Sequence, residues 1–145
     1  MKLTLHIGTQ HAEEVIVYAN ERNALTDSIE QLIKNANEPL IGYKNETAIP
    51  LQTADIFCFT VENDRLFACT AKDKLLIKAR LYKIEEVLPA CFVKINQSCI
   101  VNIAKIQRFD TGITGTLSVT LQNGFCDYVS RRNLKTVKER MGLKK

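Results

Sequence analysis

Residues 116–122 alternate strictly: Leu117, Val119 and Leu121 point one way, while Thr116, Ser118, Thr120 and Gln122 point the other. A strand with one apolar face satisfies this period of two, and a helix does not. Asn123-Gly124 follows, and residues 125–129 are again β-rich. That is a hairpin signature, and Asn-Gly predicts a two-residue type I′ turn with positive φ at both central positions.

The same grammar runs through most of the chain after residue 45. Residues 56–61 (IFCFTV) and 66–71 (LFACTA) flank the polar turn Glu62-Asn63-Asp64-Arg65. Residues 74–79, 92–95, 99–101 and 103–109 read as further strands, and 110–115 as a loop. Two short helices interrupt them. Leu81, Ile84, Val87 and Leu88 follow a helical period that Pro89 stops. Leu134, Val137 and Met141 mark a closing helix, with Ser130 placed to cap its start and Gly142 its end. Ahead of this unit, Leu3, Leu5 and Ile7 alternate, residues 14–19 (EVIVYA) form a second β-like run, and Leu25, Ile29, Leu32, Ile33 and Ala36 recur at helical spacing. The expected organisation is a β-β-α extension over residues 1–44 and a main unit over 45–145. The fold class is α+β, mainly β.

An apolar fraction of 46% allows a real core. The N-terminus has no continuous apolar run, and no stretch approaches the ~20 apolar residues of a spanning helix. A cytoplasmic location is expected. Five cysteines, an odd number with no C-x-x-C spacing, read as buried apolar side chains rather than a disulfide framework.

Catalytic signatures are absent. The two histidines, His6 and His11, belong to no metal-binding spacing, and no phosphate-cradling glycine loop or nucleophile elbow occurs. The chain reads as a non-enzyme without cofactor or metal. Its charge distribution is more telling. Residues 1–77 carry 7 Lys/Arg against 11 Asp/Glu, a net of −4, and residues 78–145 carry 13 against 5, a net of +8. A basic C-terminal half suits a polyanion, although a plain solvated surface has the same composition.

Two basic-polar clusters stand out there. Lys94 leads into Asn96, Gln97 and Ser98, a polar knot between two apolar runs. Asn and Gln can read adenine edges and Ser can hold phosphate, while Asn and Ser are equally common in ordinary turns. Ser130-Arg131-Arg132-Asn133 opens the last helix, and Lys135, Lys138 and Arg140 extend its positive face. Cations at a helix N-terminus oppose the helix dipole, so two arginines there point to an anion close by.

The stretch from Phe92 through Lys94, Asn96, Gln97, Ser98, Ile100, Val101 and Asn102 to Ile106 resembles the signature of LytTR-type DNA-binding domains: aromatic, x, basic, x, polar, polar, Ser, x, aliphatic, aliphatic, Asn, then a later Ile. Leu121-Gln122-Asn123-Gly124 and Val129-Ser130-Arg131-Arg132 match farther on, in order, and the resemblance covers roughly residues 45–143. It implies a stack of small antiparallel sheets with short helices that inserts loops, not a recognition helix, into successive DNA grooves. By resemblance Asn96, Gln97 and Ser98 form one contact loop, the 110–115 turn a second, and Arg131, Arg132 and Asn133 a third. Lys94, Lys105, Arg108, Arg131, Arg132 and Lys135 would neutralise phosphates, and Asn96 with one arginine would read bases. Relatives often carry His or Arg where Asn96 and Gln97 stand here. The short extension resembles the stand-alone subgroup that has no receiver domain. The implied function is sequence-specific regulation of transcription, with double-stranded DNA as partner and a homodimer at least on DNA. A restraining membrane protein, found with some stand-alone relatives, is a further partner the resemblance suggests. The alternative is a protein-interaction module whose basic half docks an acidic partner.

Overall fold

A computed structural model describes residues 4, 14–37, 40–112 and 114–143. Helix α1 (Ala24–Asn37) is followed by strands β1 (Leu40–Lys44), β2 (Thr47–Leu51), β3 (Cys58–Glu62), β4 (Arg65–Cys69) and β5 (Lys74–Ile77). Helix α2 (Leu81–Val87), strands β6 (Phe92–Asn96), β7 (Cys99–Asn102), β8 (Ile106–Thr111), β9 (Leu117–Leu121) and β10 (Cys126–Val129), and helix α3 (Arg131–Met141) complete the order. Seven strands form one antiparallel sheet, β2-β1-β5-β4-β3-β7-β6, and three form another, β10-β9-β8. This is the mainly β, α+β architecture that the alternation calls for.

Strand alternation decides the layers, because successive side chains face opposite ways. Cys58, Val93, Cys99 and Val101 of the large sheet pack with Leu117, Val119, Leu121 and Val129 of the small sheet and Val137 of α3. Their sequence neighbours Phe59, Phe92 and Ile100 face the other side, joining Leu66, Ala68, Leu75, Ile77 and, from α2, Leu81 and Ile84. The large sheet is thus a middle layer. Each such Val, Leu or Ile contributes roughly 1.5–3 kcal/mol by leaving water.

The hairpins form as expected, with one change of turn. Leu121 N donates to Phe125 O and Gly124 N to Leu121 O, so the loop between β9 and β10 has three residues rather than two. Gly124 alone takes positive φ, at 92°. Asn123 instead uses its side chain, donating to Thr70 O and accepting from Phe125 N. A type I turn closed by a left-handed glycine is the second common hairpin solution. The β3–β4 turn is the two-residue kind, with Asn63 at φ 51° and Asp64 at φ 62°.

The β1–β2 hairpin has no counterpart in the strands expected from sequence. Pro50 argues against a strand interior, but β2 is an edge strand, where a proline costs no ladder bond. Gly42 also weakens the local signal. It is required because a Cβ there would come within 2.8 Å of Leu51 Cδ1 and Leu75 Cβ. β1 lies ahead of residue 45 yet pairs with β5 in the large sheet.

Farther upstream, α1 forms where the helical spacing placed it. Residues 14–19 form no strand, because no described segment supplies the partner ladder, and Val15, Ile16 and Tyr18 stay exposed. The alternating run at Leu3, Leu5 and Ile7 lies outside the described residues. No helix among those described is long and apolar enough to cross a membrane.

Candidate nucleic-acid interface

The turn between β6 and β7 presents Gln97 and Ser98 to solvent. Asn96, immediately before it, is only 2% exposed. Its Oδ1 accepts from Ser98 N at 2.8 Å, which closes the turn. Its Nδ2 donates to Tyr128 O at 2.9 Å and to Asp127 Oδ2 at 3.1 Å. Every strong hydrogen-bonding direction of this amide but one lone pair is engaged inside the protein. Asn96 is therefore a strut whose amide is turned inward, and the side chains the turn exposes are those of Gln97 and Ser98.

The same bonds bring the two basic-polar clusters together. Ser130 N donates to Ile95 O at 2.9 Å, one residue from the Asn96 bonds to β10. The exposed Arg131 and Arg132 follow at once, so Asn96 and Arg132 belong to one side of the molecule. α3 then runs back along β6, and Arg140 pins its far end by donating to Phe92 O at 2.8 Å and to Ala90 O. At the near end Ser130 stands at the cap position, but its hydroxyl donates to Asn133 Oδ1 at 2.6 Å and makes no side-chain cap bond to the helix. Asn133 N turns back to Ser130 O at 3.0 Å, and the N–H groups of Arg131 and Arg132 receive no side-chain cap, an open helix start of the kind that favours an anion. Neither arginine enters an ion pair among the described residues. Lys135 is exposed one turn along, on the face of Arg131.

A further segment joins this end, one the clusters did not mark. Val61 N donates to Ser98 O at 2.8 Å, which sets the β3–β4 turn beside the β6–β7 turn. That turn exposes Asn63, Asp64 and Arg65. Its hairpin is legible in sequence, but its neighbour across the sheet is set by long-range register and has no local signal.

The remaining expected contacts are spread out. Lys94 is half-buried in β6 and, with Asn133, Thr136 and Arg140, lines a depression of about 300 Å³ beside α3. Lys105 lies beyond the opposite end of β7 from the turn, with its ammonium 5.1 Å from the Phe57 ring centre. Arg108 is on β8, two strand spacings or about 10 Å from β10, and its guanidinium bonds Asp110 at 3.0 Å. The Gly112–Thr116 loop, closed by a 2.7 Å bond from Gly112 N to Thr116 O, stands at the Ser130 end of the small sheet, since Leu117 pairs with both Thr111 and Val129.

The cysteines divide. Cys58, Cys69 and Cys99 are buried, as expected, whereas Cys91 and Cys126 are exposed. Cys58 faces Cys69 across β3 and β4. The Cys58 hydrogen bond pushes the Cys69 thiol well up, and burial adds to it. A bond with Cys69 pulls Cys58 down, but the bond with Cys99 and burial outweigh it, so this thiol also sits above its ordinary range. Both are buried away from solvent. No cluster of metal-ligating side chains occurs among the described residues.

Comparison with known proteins places this geometry in context. The family model for the LytTr DNA-binding domain matches residues 46–142. Uncharacterized HTH-type transcriptional regulators of Staphylococcus aureus, from strains NCTC 8325 and MRSA252, are each 32% identical over 99% of this chain and 99% of their own length. A solved LytTr DNA-binding domain from Bacillus cereus superposes with a TM-score of 0.68, at 18% identity, over 73% of this chain and 99% of that one. The likeness is one of fold. The helices described here are separated by strands, so no two of them make a helix-turn-helix.

Proposed function

Because the chain belongs to the LytTR family of DNA-binding domains, we propose that it is a transcriptional regulator that reads duplex DNA with turns of its β framework. One observation carries the proposal: the bonds from Ser130 to Ile95 and from Asn96 to Tyr128 join the Gln97–Ser98 turn to the arginine-bearing start of α3. Two polar, DNA-competent segments far apart in sequence thereby face one ligand.

In this reading Gln97 and Ser98 enter one groove, Arg131 or Arg132 the next, and the Asn63–Arg65 turn lies alongside. A guanidinium fork suits guanine O6 and N7, and Gln97 suits an adenine edge. Lys94, Asn133 and Lys135 flank this contact and hold backbone phosphates. Lys105 and Arg108 add long-range attraction rather than direct contact. Two copies act on one operator, with half-sites about one helical turn or a multiple apart. The exposed Val15, Ile16, Leu25 and Leu32 offer a second copy or a restraining membrane protein a surface outside the turns. The site of action is the cytoplasm.

Selection from a random duplex pool tests the proposal. Enrichment of a defined motif, bound by a gel-shift assay at physiological salt, is the expected result. A pool that stays random, with retention only of acidic proteins, would instead support a protein-docking module.

A further inference from the structure

We propose that Asn96 and Asp127 act as a positioning pair that sets the distance between the β6–β7 turn and the N-terminus of α3, and with it the sequence preference of DNA binding. The inference rests on the DNA-binding reading above and names the residues that would tune it.

Asn96 ties three things at once. It holds Ser98 N, Tyr128 O and the Asp127 carboxylate. Asp127 is itself fixed, since its other oxygen accepts from Tyr128 N at 2.8 Å. The pair thus spans from the last residue of β6 to the strand that leads directly into Arg131 and Arg132. Asn96 is buried, so its effect on a ligand passes through the turns it holds.

The sign of the Asp127 charge makes the case sharper. Asp127 is half-buried and meets no cation among the described residues. A carboxylate without a cation, beside a face that receives phosphates, weakens binding to every sequence by simple repulsion. Its geometry, in contrast, keeps two contact segments at a fixed spacing before DNA arrives. Preorganisation of that kind favours the one duplex whose grooves match and does little for a random one. The charge and the geometry therefore predict opposite outcomes for one substitution.

The experiment uses the full chain and compares its affinity for the enriched motif with that for a random duplex. Asp127→Ala removes the charge and both acceptor oxygens, and Asp127→Asn removes the charge and one acceptor, leaving one oxygen to accept from Asn96. Positioning predicts that Asp127→Ala binds the motif about tenfold more weakly while its random-duplex affinity holds or rises. It also predicts that Asp127→Asn recovers motif binding to within about threefold of wild type, because its single amide oxygen accepts from Asn96 and keeps the tie between the turn and β10, at the loss of the bond to Tyr128 N. Asn96→Ala should repeat the loss of preference, and thermal melts of all three variants report folding. If Asn96→Ala does not fold, the two Asp127 variants decide. Motif binding by Asp127→Ala equal to or tighter than wild type overturns the positioning role alone. A wild-type chain that enriches no motif overturns the DNA reading and this inference with it.

Discussion

Two asparagines do similar work at opposite ends of the β6–β7 hairpin. Asn102 is 2% exposed; its Nδ2 donates to Ile56 O at 2.9 Å and its Oδ1 accepts from Ala104 N at 3.0 Å. Replacement by Ala would strand a buried carbonyl and an amide, so Asn102→Ala should lower stability by about 2–3 kcal/mol, read from the urea midpoint. The sequence shows these asparagines only as polar breaks in apolar runs. A polar break reads as surface by default, and that default misplaces Asn96, two of whose three bonding partners lie more than thirty positions away. Gln97, Ser98, Arg131 and Arg132 were legible because exposed polar side chains leave their mark locally. Cysteine placement shows the same limit: Cys126 sits in a β-rich run but on its outward face. Native chain treated with iodoacetamide should alkylate rapidly at Cys91 and Cys126, with Cys58, Cys69 and Cys99 modified only after denaturant is added. Rapid native modification of Cys58 would contradict the packing described.

Among the elements, α3 is the best specified by its own sequence. Its apolar spacing buries Val137, and Gly142 at φ 69° closes it with bonds from Gly142 N to Glu139 O and Leu143 N to Lys138 O. Its start differs from the sequence expectation, because the Ser130 hydroxyl serves Asn133 instead of the backbone. Arg131 and Arg132 therefore sit at an uncapped, partially positive end, and a phosphate or base acceptor relieves both effects. Arg132→Ala should cost about 1–3 kcal/mol in motif affinity and broaden the selected motif at one position, whereas Lys135→Ala should weaken all sequences alike. Parallel selections with the two variants check this. The β1–β2 hairpin was not legible, since Gly42 and Pro50 suppress the strand signal while tertiary packing against Leu75 supplies what the local sequence lacks.

Across the whole molecule, the charge imbalance read from sequence agrees with the placement of contacts but does not predict it. Of the six cations expected to neutralise phosphates, Arg131, Arg132 and Lys135 follow one another on the first turns of α3 and Lys94 is half-buried beside that helix, whereas Lys105 and Arg108 lie elsewhere. Sequence alone counts charges; only the register between β6, β10 and α3 sorts them. Four such contacts per copy imply a log–log salt slope of about −3 to −4 for one bound copy on a half-site, from gel shifts between low and physiological salt. A slope near −6 would bring Lys105 and Arg108 back into direct contact.

In the proposed reading, the binding groups ride on short turns whose backbone is dictated by the sheets beneath them. Gln97, Arg65 and Arg132 are solvent-facing, so exchanging them alters little that the core depends on. Copies of such a gene can drift toward new operators by a few surface replacements while folding as before, so a genome can diversify its regulatory wiring from this scaffold at small structural risk.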